Sequence, residues 1–218
     1  MLEQIIGKKS EYFDEEQLNE LLSSPRHVHV DLGTGDGMYV VRMAKKKPEH
    51  MFIGVDADRS QLSIGSAKAA KKPAKGGCDN AMFFCMNVLN MPSFFKDFAS
   101  YININYPWGS LLNAVAEPDE NMLEQIAALA KNKAIFEMVL NLQVFNDPTQ
   151  RENMNLPEFN MKFVEETLLP IYEKHGFSPI RYQFYKPGQD AGIPSTWGGQ
   201  LTRNSKRPTF YLKCEVQR

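Results

Sequence analysis

The sequence predicts one α/β domain, a mostly parallel sheet with helices on both faces and an antiparallel last strand. Three observations predict it. Short apolar runs alternate with helical patterns along the chain. The first run, Val28 to Leu32, ends on a glycine-rich turn, Gly33 to Gly37, as strands do when they feed a ligand-binding helix. The last two runs, Ile180 to Tyr185 and Thr209 to Val216, have no helical pattern between them, so the final strand returns antiparallel. A chain of 218 residues, 43% hydrophobic, is long enough for a real core and short enough for a single domain over 1–218.

Taken in order, residues 1–25 form an N-terminal extension containing an acidic amphipathic stretch, Asp14 to Leu22. The strand Val28 to Leu32 and its turn precede a helix from Met38 to Lys46. Met51 to Asp56 is a second strand ending on an acid, and Ser60 serves as N-cap of a helix reaching about Lys71. Strands follow at Met82 to Met86, Tyr101 to Ile104 and Ala134 to Leu140, with helical patterns at Asn121 to Lys131 and Phe163 to Lys174. Asn146 to Asn160 and Lys186 to Pro208 fit neither period, and insertions at about 142–162 and 186–208 are expected to be functional.

Several function classes are excluded. Mean hydropathy is -0.40 and no apolar run nears 18 residues, which rules out a membrane-spanning helix. The first residues lack the basic-then-apolar order of a secretory signal, so a cytoplasmic location is expected. Cys78, Cys85 and Cys214 form no CxxC pair and read as reduced packing residues. His27 and His29 alternate with valines on the first strand, as core or flank histidines do, and His50 and His175 sit near turns. No spacing of His, Asp or Glu points to a metal.

The net charge of -1 argues against a polyanionic partner only if the charges are evenly spread, and they are not. Residues 42–75 carry nine bases and three acids, residues 174–218 eight bases and two acids, so each segment stands at +6 and the rest at -13. Two such segments flanking one face would form a nucleic-acid footprint; the alternative is a merely solvated surface.

The strongest motif is Asp31-Leu-Gly-Thr-Gly-Asp-Gly37 after a buried strand. A glycine turn there holds a dinucleotide or S-adenosylmethionine, or simply turns the chain. The spacing is G-x-G-x-G, with Asp31 and Asp36 flanking Gly33 and Gly35. Carboxylates repel a pyrophosphate and attract the ammonium and sulfonium of S-adenosylmethionine, so charge favours the methyl donor. Asp56, 21 residues after Gly35, stands where an acid accepts ribose hydroxyls in either cofactor. The adenine ring would lie beside Asn87-Val88-Leu89, where Asn87 either contacts the ring or closes a turn.

For the acceptor, the sequence offers no Pro-Cys pair for attack through cytosine carbon and no metal cluster for catechol oxygen. A ring nitrogen with a free lone pair, such as N1 of adenine, needs no base. Asn105-Tyr-Pro-Trp-Gly-Ser110 ends the fourth strand, and the second tryptophan lies in Ser195-Thr-Trp-Gly-Gly199. Trp108 and Trp197 would sandwich a flipped base; singly, each fits equally well as loop packing. Stacking contributes about 1 to 3 kcal/mol per contact, enough for two platforms to offset unstacking. Asn105-Tyr-Pro-Trp108 also partly matches the Asn-Pro-Pro-Tyr signature of exocyclic-amine methylases, with Tyr106 in place of the first proline. An exocyclic-amine or tRNA guanine methyltransferase and a non-catalytic RNA-binding module therefore stay open.

VHVDLGTGDG, GVDAD, KKPAKGG, PWGSLL and the late S-x-W, in this order over nearly the whole chain, resemble the aminoglycoside-resistance 16S rRNA (adenine-1408-N1)-methyltransferases. The resemblance implies a Rossmann-like class I fold with a seven-stranded sheet, S-adenosylmethionine as cofactor, and a monomer docked on the 30S subunit at the decoding region of 16S rRNA. It implies a target adenine flipped between Trp108 and Trp197 and methylated at N1. Asp31, Gly33 and Asp56 would hold the cofactor, with Val88, Leu89, Pro107, Ser110 and Ser195 lining it. Lys68, Lys71, Lys72, Lys75, Arg203, Lys206 and Arg207 would meet rRNA phosphates. Leu89 replaces an acidic residue of the family, and Gln200 and Ser205 stand where arginines are expected.

Overall fold

The computed structural model describes residues 1–23, 27–187, 189 and 207–218. The N-terminal extension is a hairpin of β1 (Leu2–Ile6) and β2 (Lys9–Phe13), turned at Gly7 with φ 64°. Its buried Leu2 and Ile5 do not alternate, so no strand signal stands out from the sequence. Helix α1 (Glu15–Leu22) starts at Asp14, whose carboxylate accepts the Gln17 N–H while the Gln17 side chain accepts the Asp14 N–H.

The strand β3 (Val28–Leu32) is buried throughout and leads through the glycine turn to α2 (Met38–Lys46). β4 (Met51–Asp56) leads to α3 (Arg59–Ala69). The cap of α3 is Asp58, whose Oδ1 accepts the Ser60 N–H, and not Ser60 itself, because the carboxylate two residues earlier reaches the free amides first. A single 3-10 turn, Pro73–Lys75, leads to β5 (Ala81–Cys85), and a second, Val88–Asn90, follows it. Next come β6 (Ala99–Asn105), α4 (Gly109–Ala116), α5 (Glu120–Leu129) and β7 (Ala130–Asn141). The stretch around Asn146 is not irregular but holds two short helices, α6 (Gln143–Asn146) and α7 (Pro148–Asn153), too brief to show a period. Helix α8 (Met161–Phe163) continues through π turns over Val164–Leu168 into α9 (Leu169–Lys174). Pro170 lacks an N–H and its ring displaces the carbonyl four residues back, which accounts for the widening. β8 (Phe177–Tyr185) and β9 (Thr209–Val216) complete the sheet.

The sheet order is β2-β1-β5-β4-β3-β6-β7-β9-β8. The seven strands read from the sequence are β3 to β9. β3, β4, β5, β6 and β7 run parallel, and β9 lies antiparallel between β7 and β8. The hairpin adds two strands beyond the expected seven by pairing β1 antiparallel to β5. One core, including Val30, Ile53, Ile102 and Phe136, packs under α4, α5 and the 161–174 helix. A smaller one, including Ile5, Val40, Phe52, Leu62 and Phe83, packs under α2 and α3 on the other face. Among the described residues no helix is long and apolar enough to cross a membrane.

Candidate functional site

Parallel strands place their carboxyl ends along one rim of the sheet. There the chain order reverses between β3, whose next strand β4 lies on one side, and β6 on the other. A cavity of about 660 Å³ opens at this point. It is lined by Asp31, Gly33, Gly35, Asp36 and Asp56 from the first two strand ends. Asn87, Val88 and Leu89 come from the third, and Pro107, Trp108 and Ser110 from the fourth. Every described residue assigned to the cofactor on sequence grounds therefore lines one cavity. Ser195, Trp197, Arg203 and Lys206, like Gln200 and Ser205, lie outside the described residues.

The glycine turn is fixed by backbone bonds and close approach. Gly33 and Thr34 both donate their N–H to the Val55 carbonyl, tying the turn to β4. Gly33 has φ 72°, and a Cβ there would lie 2.5 Å from Leu111 Cδ2; Gly37, at φ 68°, would meet Phe83 at 2.4 Å. Asp56 accepts the Gly35 N–H on Oδ2 at 2.8 Å and the Asp58 N–H on Oδ1 at 2.9 Å. Each oxygen keeps lone-pair capacity for a ribose hydroxyl.

Asp31 is the buried charge of the site. Its Oδ2 accepts the Thr34 hydroxyl at 2.6 Å, and its Oδ1 accepts the amides of Asn103 and, at 3.1 Å, Asn105. Burial raises its pKa to about 7, against the opposing pull of these donors. Thr34 and Asn103 went unnoticed in the sequence. The signal for Asn103 was available: it sits two residues before Asn105 on the same strand, hence on the same face. Asn105 also hydrogen-bonds the Tyr39 hydroxyl. It thus lines the cavity while bracing Asp31.

At the mouth, Tyr106 has φ 52° and Gly109 φ 58°, and the Tyr106 N–H is held by the Val139 carbonyl at 2.8 Å. This left-handed pair throws Trp108 outward from the end of β6, leaving it 64% exposed where α4 begins. Arg207, expected only among phosphate contacts, also lines the cavity.

The four lysines lie elsewhere. α3 starts beside Asp56 at the rim and runs 11 residues away from it, about 16 Å at the helical rise. Lys68, Lys71, Lys72 and Lys75 thus stand at the far end of the sheet. A single face holding both the first basic segment and the cavity mouth is therefore not formed, because helices after parallel strands carry their carboxyl ends away from the ligand.

The residues fit a cationic nucleoside. Asp31, Asp36, Asp56 and Asp58 line the cavity, against Arg207 as the one base among its described residues. A buried carboxylate at the strand end matches an ammonium, whereas a pyrophosphate would meet four acids. Fold and site together define the class: a Rossmann-like, class I S-adenosylmethionine-dependent methyltransferase.

The family model described as 16S rRNA (adenine(1408)-N(1))-methyltransferase matches residues 3–216. The chain belongs to that family. A 16S rRNA (adenine(1408)-N(1))-methyltransferase from Escherichia coli is 34% identical over 213 residues, 97% of each chain. The crystal structure of the aminoglycoside resistance methyltransferase NpmB1 is similar with a TM-score of 0.86 and 33% identity, covering 99% of this chain and 100% of that one. A tryptophan-to-alanine mutant of the 16S rRNA (adenine(1408)-N(1))-methyltransferase from Catenulisporales acidiphilia, solved with cosubstrate SAM, gives 0.88 at 25% identity over 100% and 98% of the two chains.

Proposed function

We propose that this protein is an enzyme that methylates N1 of the decoding-site adenine of 16S rRNA in the 30S subunit, with S-adenosylmethionine as donor, and thereby gives aminoglycoside resistance. The observation that carries the reading is Trp108, exposed at the mouth of the cavity whose floor holds the Asp31 and Asp56 carboxylates. The full-length family relationship supports it.

Bound S-adenosylmethionine supplies a methyl group on a sulfonium. Asp31 holds the ammonium of its methionine part, and Asp56 accepts the ribose hydroxyls. Gly33, Gly35 and Asp36 shape the approach, and Asn87, Val88, Leu89, Pro107, Ser110 and Ser195 enclose the rest. Trp108 and Trp197 stack on the flipped adenine and fix N1 in line with the methyl group. The N1 lone pair forms the new bond while the carbon–sulfur pair stays on sulfur. The positive charge passes to the base, and no protein group has to take a proton. Lys68, Lys71, Lys72, Lys75, Arg203, Lys206 and Arg207 hold rRNA phosphates, and a cytoplasmic monomer suffices.

Reverse transcription across the decoding site of treated 30S subunits tests this. N1-methylation blocks the Watson–Crick edge and stops the polymerase at the target; unimpeded copying would overturn the reading.

A further inference from the structure

Every base has a face on which an aromatic ring can stack, so Trp108 does not by itself select adenine. Selection needs polar groups on the edge of the base. N1 cannot supply that contact, because its lone pair forms the bond to the methyl group and must be left free of any donor. On the remaining edge adenine carries a donor at N6, where guanine carries the acceptor O6, and both carry the acceptor N7. A site that chooses adenine therefore needs an acceptor facing N6 and a donor facing N7. An ionised carboxylate supplies only the first and an arginine only the second; a side-chain amide supplies both.

Four described amide side chains line the cavity, those of Gln61, Asn87, Asn105 and Asn141. Gln61 and Asn87 stand at the cofactor end, on α3 and after β5, and Asn105 is committed to Asp31 and Tyr39. Asn141, half-buried, is the last residue of β7. Val139 is in register with Asn105. Alternation carries Asn141 onto the same face of the sheet, two residues past the end of β6, where the chain turns through Tyr106 to Trp108. On its other side Asn141 pairs with Thr209, and the Leu142 N–H donates to the Pro208 carbonyl at 2.9 Å, next in the chain to Arg207. Asn141 thus stands between the strand ends that carry Trp108 and Arg207. Its amide is held in one orientation. Oδ1 accepts the Gln143 N–H at 3.1 Å, a contact that only the oxygen can make, which settles which end is which. Oδ1 keeps a lone pair, and among the described residues Nδ2 donates to no group.

We infer that Asn141 selects the target base, its amide reading N6 and N7 of the flipped adenine while N1 faces the methyl donor. The inference rests on the adenine-N1 reading above and deepens it. Guanine would set O6 against Oδ1 and is refused. As N1 takes the methyl group, the positive charge spreads over N1, carbon 6 and N6, so the N6–H bond to Oδ1 strengthens towards the transition state. Asn141 therefore acts on kcat as well as on the choice of base.

The test is methyl transfer to N1 by the full-length protein and by Asn141→Ser. The substrates are 30S subunits reconstituted with adenine or 7-deazaadenine at the target position, the product being located by oligonucleotide mass spectrometry. Serine keeps an oxygen for the Gln143 N–H, so the turn into α6 survives, but it has no amide. With adenine, Asn141→Ser should lower kcat by about 5- to 150-fold, the range for one bidentate amide–adenine contact. KM, S-adenosylmethionine affinity and melting temperature should change little. 7-Deazaadenine lacks the N7 acceptor. The wild-type preference for adenine over it should exceed that of the variant by about 2- to 12-fold, the worth of one hydrogen bond. Any effect of the missing nitrogen on N1 reactivity is common to both proteins and cancels. Full activity of Asn141→Ser, or the same preference in both proteins, overturns the assignment. So does a fall in S-adenosylmethionine affinity that matches the fall in transfer, which makes Asn141 part of the cofactor pocket. If the wild type methylates adenine at N1, such a result removes the role of Asn141 alone. If the wild type puts no methyl group on N1, the adenine reading falls and the assignment with it.

Discussion

Replacing Asp31 by Asn tests how the site holds its cofactor. Asp31 is 4% exposed and accepts from Thr34, Asn103 and Asn105, so its shape is kept by the substitution while its charge is lost. Breaking a buried, hydrogen-bonded charge pair costs about 3 to 5 kcal/mol, which predicts S-adenosylmethionine binding weaker by a factor on the order of 10² to 10⁴ in calorimetry. The wild type carries a second signature. With the free carboxyl titrating at about 7, the ionised fraction falls from about half at pH 7 to about 3% at pH 5.5, a roughly 15-fold loss of affinity by linkage. The Asn variant should show no such loss. Stability moves the opposite way. The folded pKa lies above the unfolded value of 3.8, so the cost of the buried charge is absent below about pH 4, grows between pH 4 and 7, and is fully present above 7. Asp31→Asn should therefore melt at or above the wild-type temperature at pH 8, with the gain vanishing near pH 4. A wild-type affinity flat between pH 7 and 5.5, or a variant less stable at pH 8, would refute the assignment of Asp31 as a buried anion kept for a cationic ligand.

Other expectations follow from the same geometry. Trp108→Ala should lower methyl transfer to 30S by a factor of roughly 5 to 150, the equivalent of about 1 to 3 kcal/mol of stacking, while S-adenosylmethionine affinity changes less than about threefold; equal loss of both would make Trp108 part of the cofactor pocket. Gly37→Ala places a Cβ 2.4 Å from Phe83 at φ 68°, and should destabilise by about 2 to 4 kcal/mol in urea unfolding, combining left-handed strain with overpacking. His29 is buried against Phe52 and Tyr101 with its pKa lowered to about 3, so the unfolded chain binds a proton that the native state refuses as pH falls below 6.5. His29→Phe should remove that acid-side loss of stability, seen as a flatter melting-temperature profile between pH 6 and 4.

The parts of the molecule legible in the sequence are those where local pattern and tertiary role coincide. β3, with Val28, Val30 and Leu32 buried and a glycine turn behind it, read plainly, as did the rim residues Asp31 and Asp56. The hairpin did not, because Leu2 and Ile5 bury without the alternation of a strand and Lys8-Lys9 at its turn look like any polar segment. Asn80 and Thr34 were missed for a related reason. Their roles are hydrogen bonds to residues 30 or more positions away or to a carboxylate that sequence alone does not show to be buried. The placement of the lysines was misjudged because charge counting along a chain carries no direction. Only the run of α2 and α3 away from the rim reveals that the basic end and the chemical end are opposite.

Mass spectrometry of the RNase-released decoding-site oligonucleotide from 30S subunits and from protein-free 16S rRNA, each incubated with the protein and S-adenosylmethionine, with its nucleosides then identified, tests the central claim most directly. The account predicts N1-methyladenine at the decoding site of the 30S subunit and little on the free RNA. N6-methyladenine, a methylated guanine, or equal modification of both substrates would contradict it.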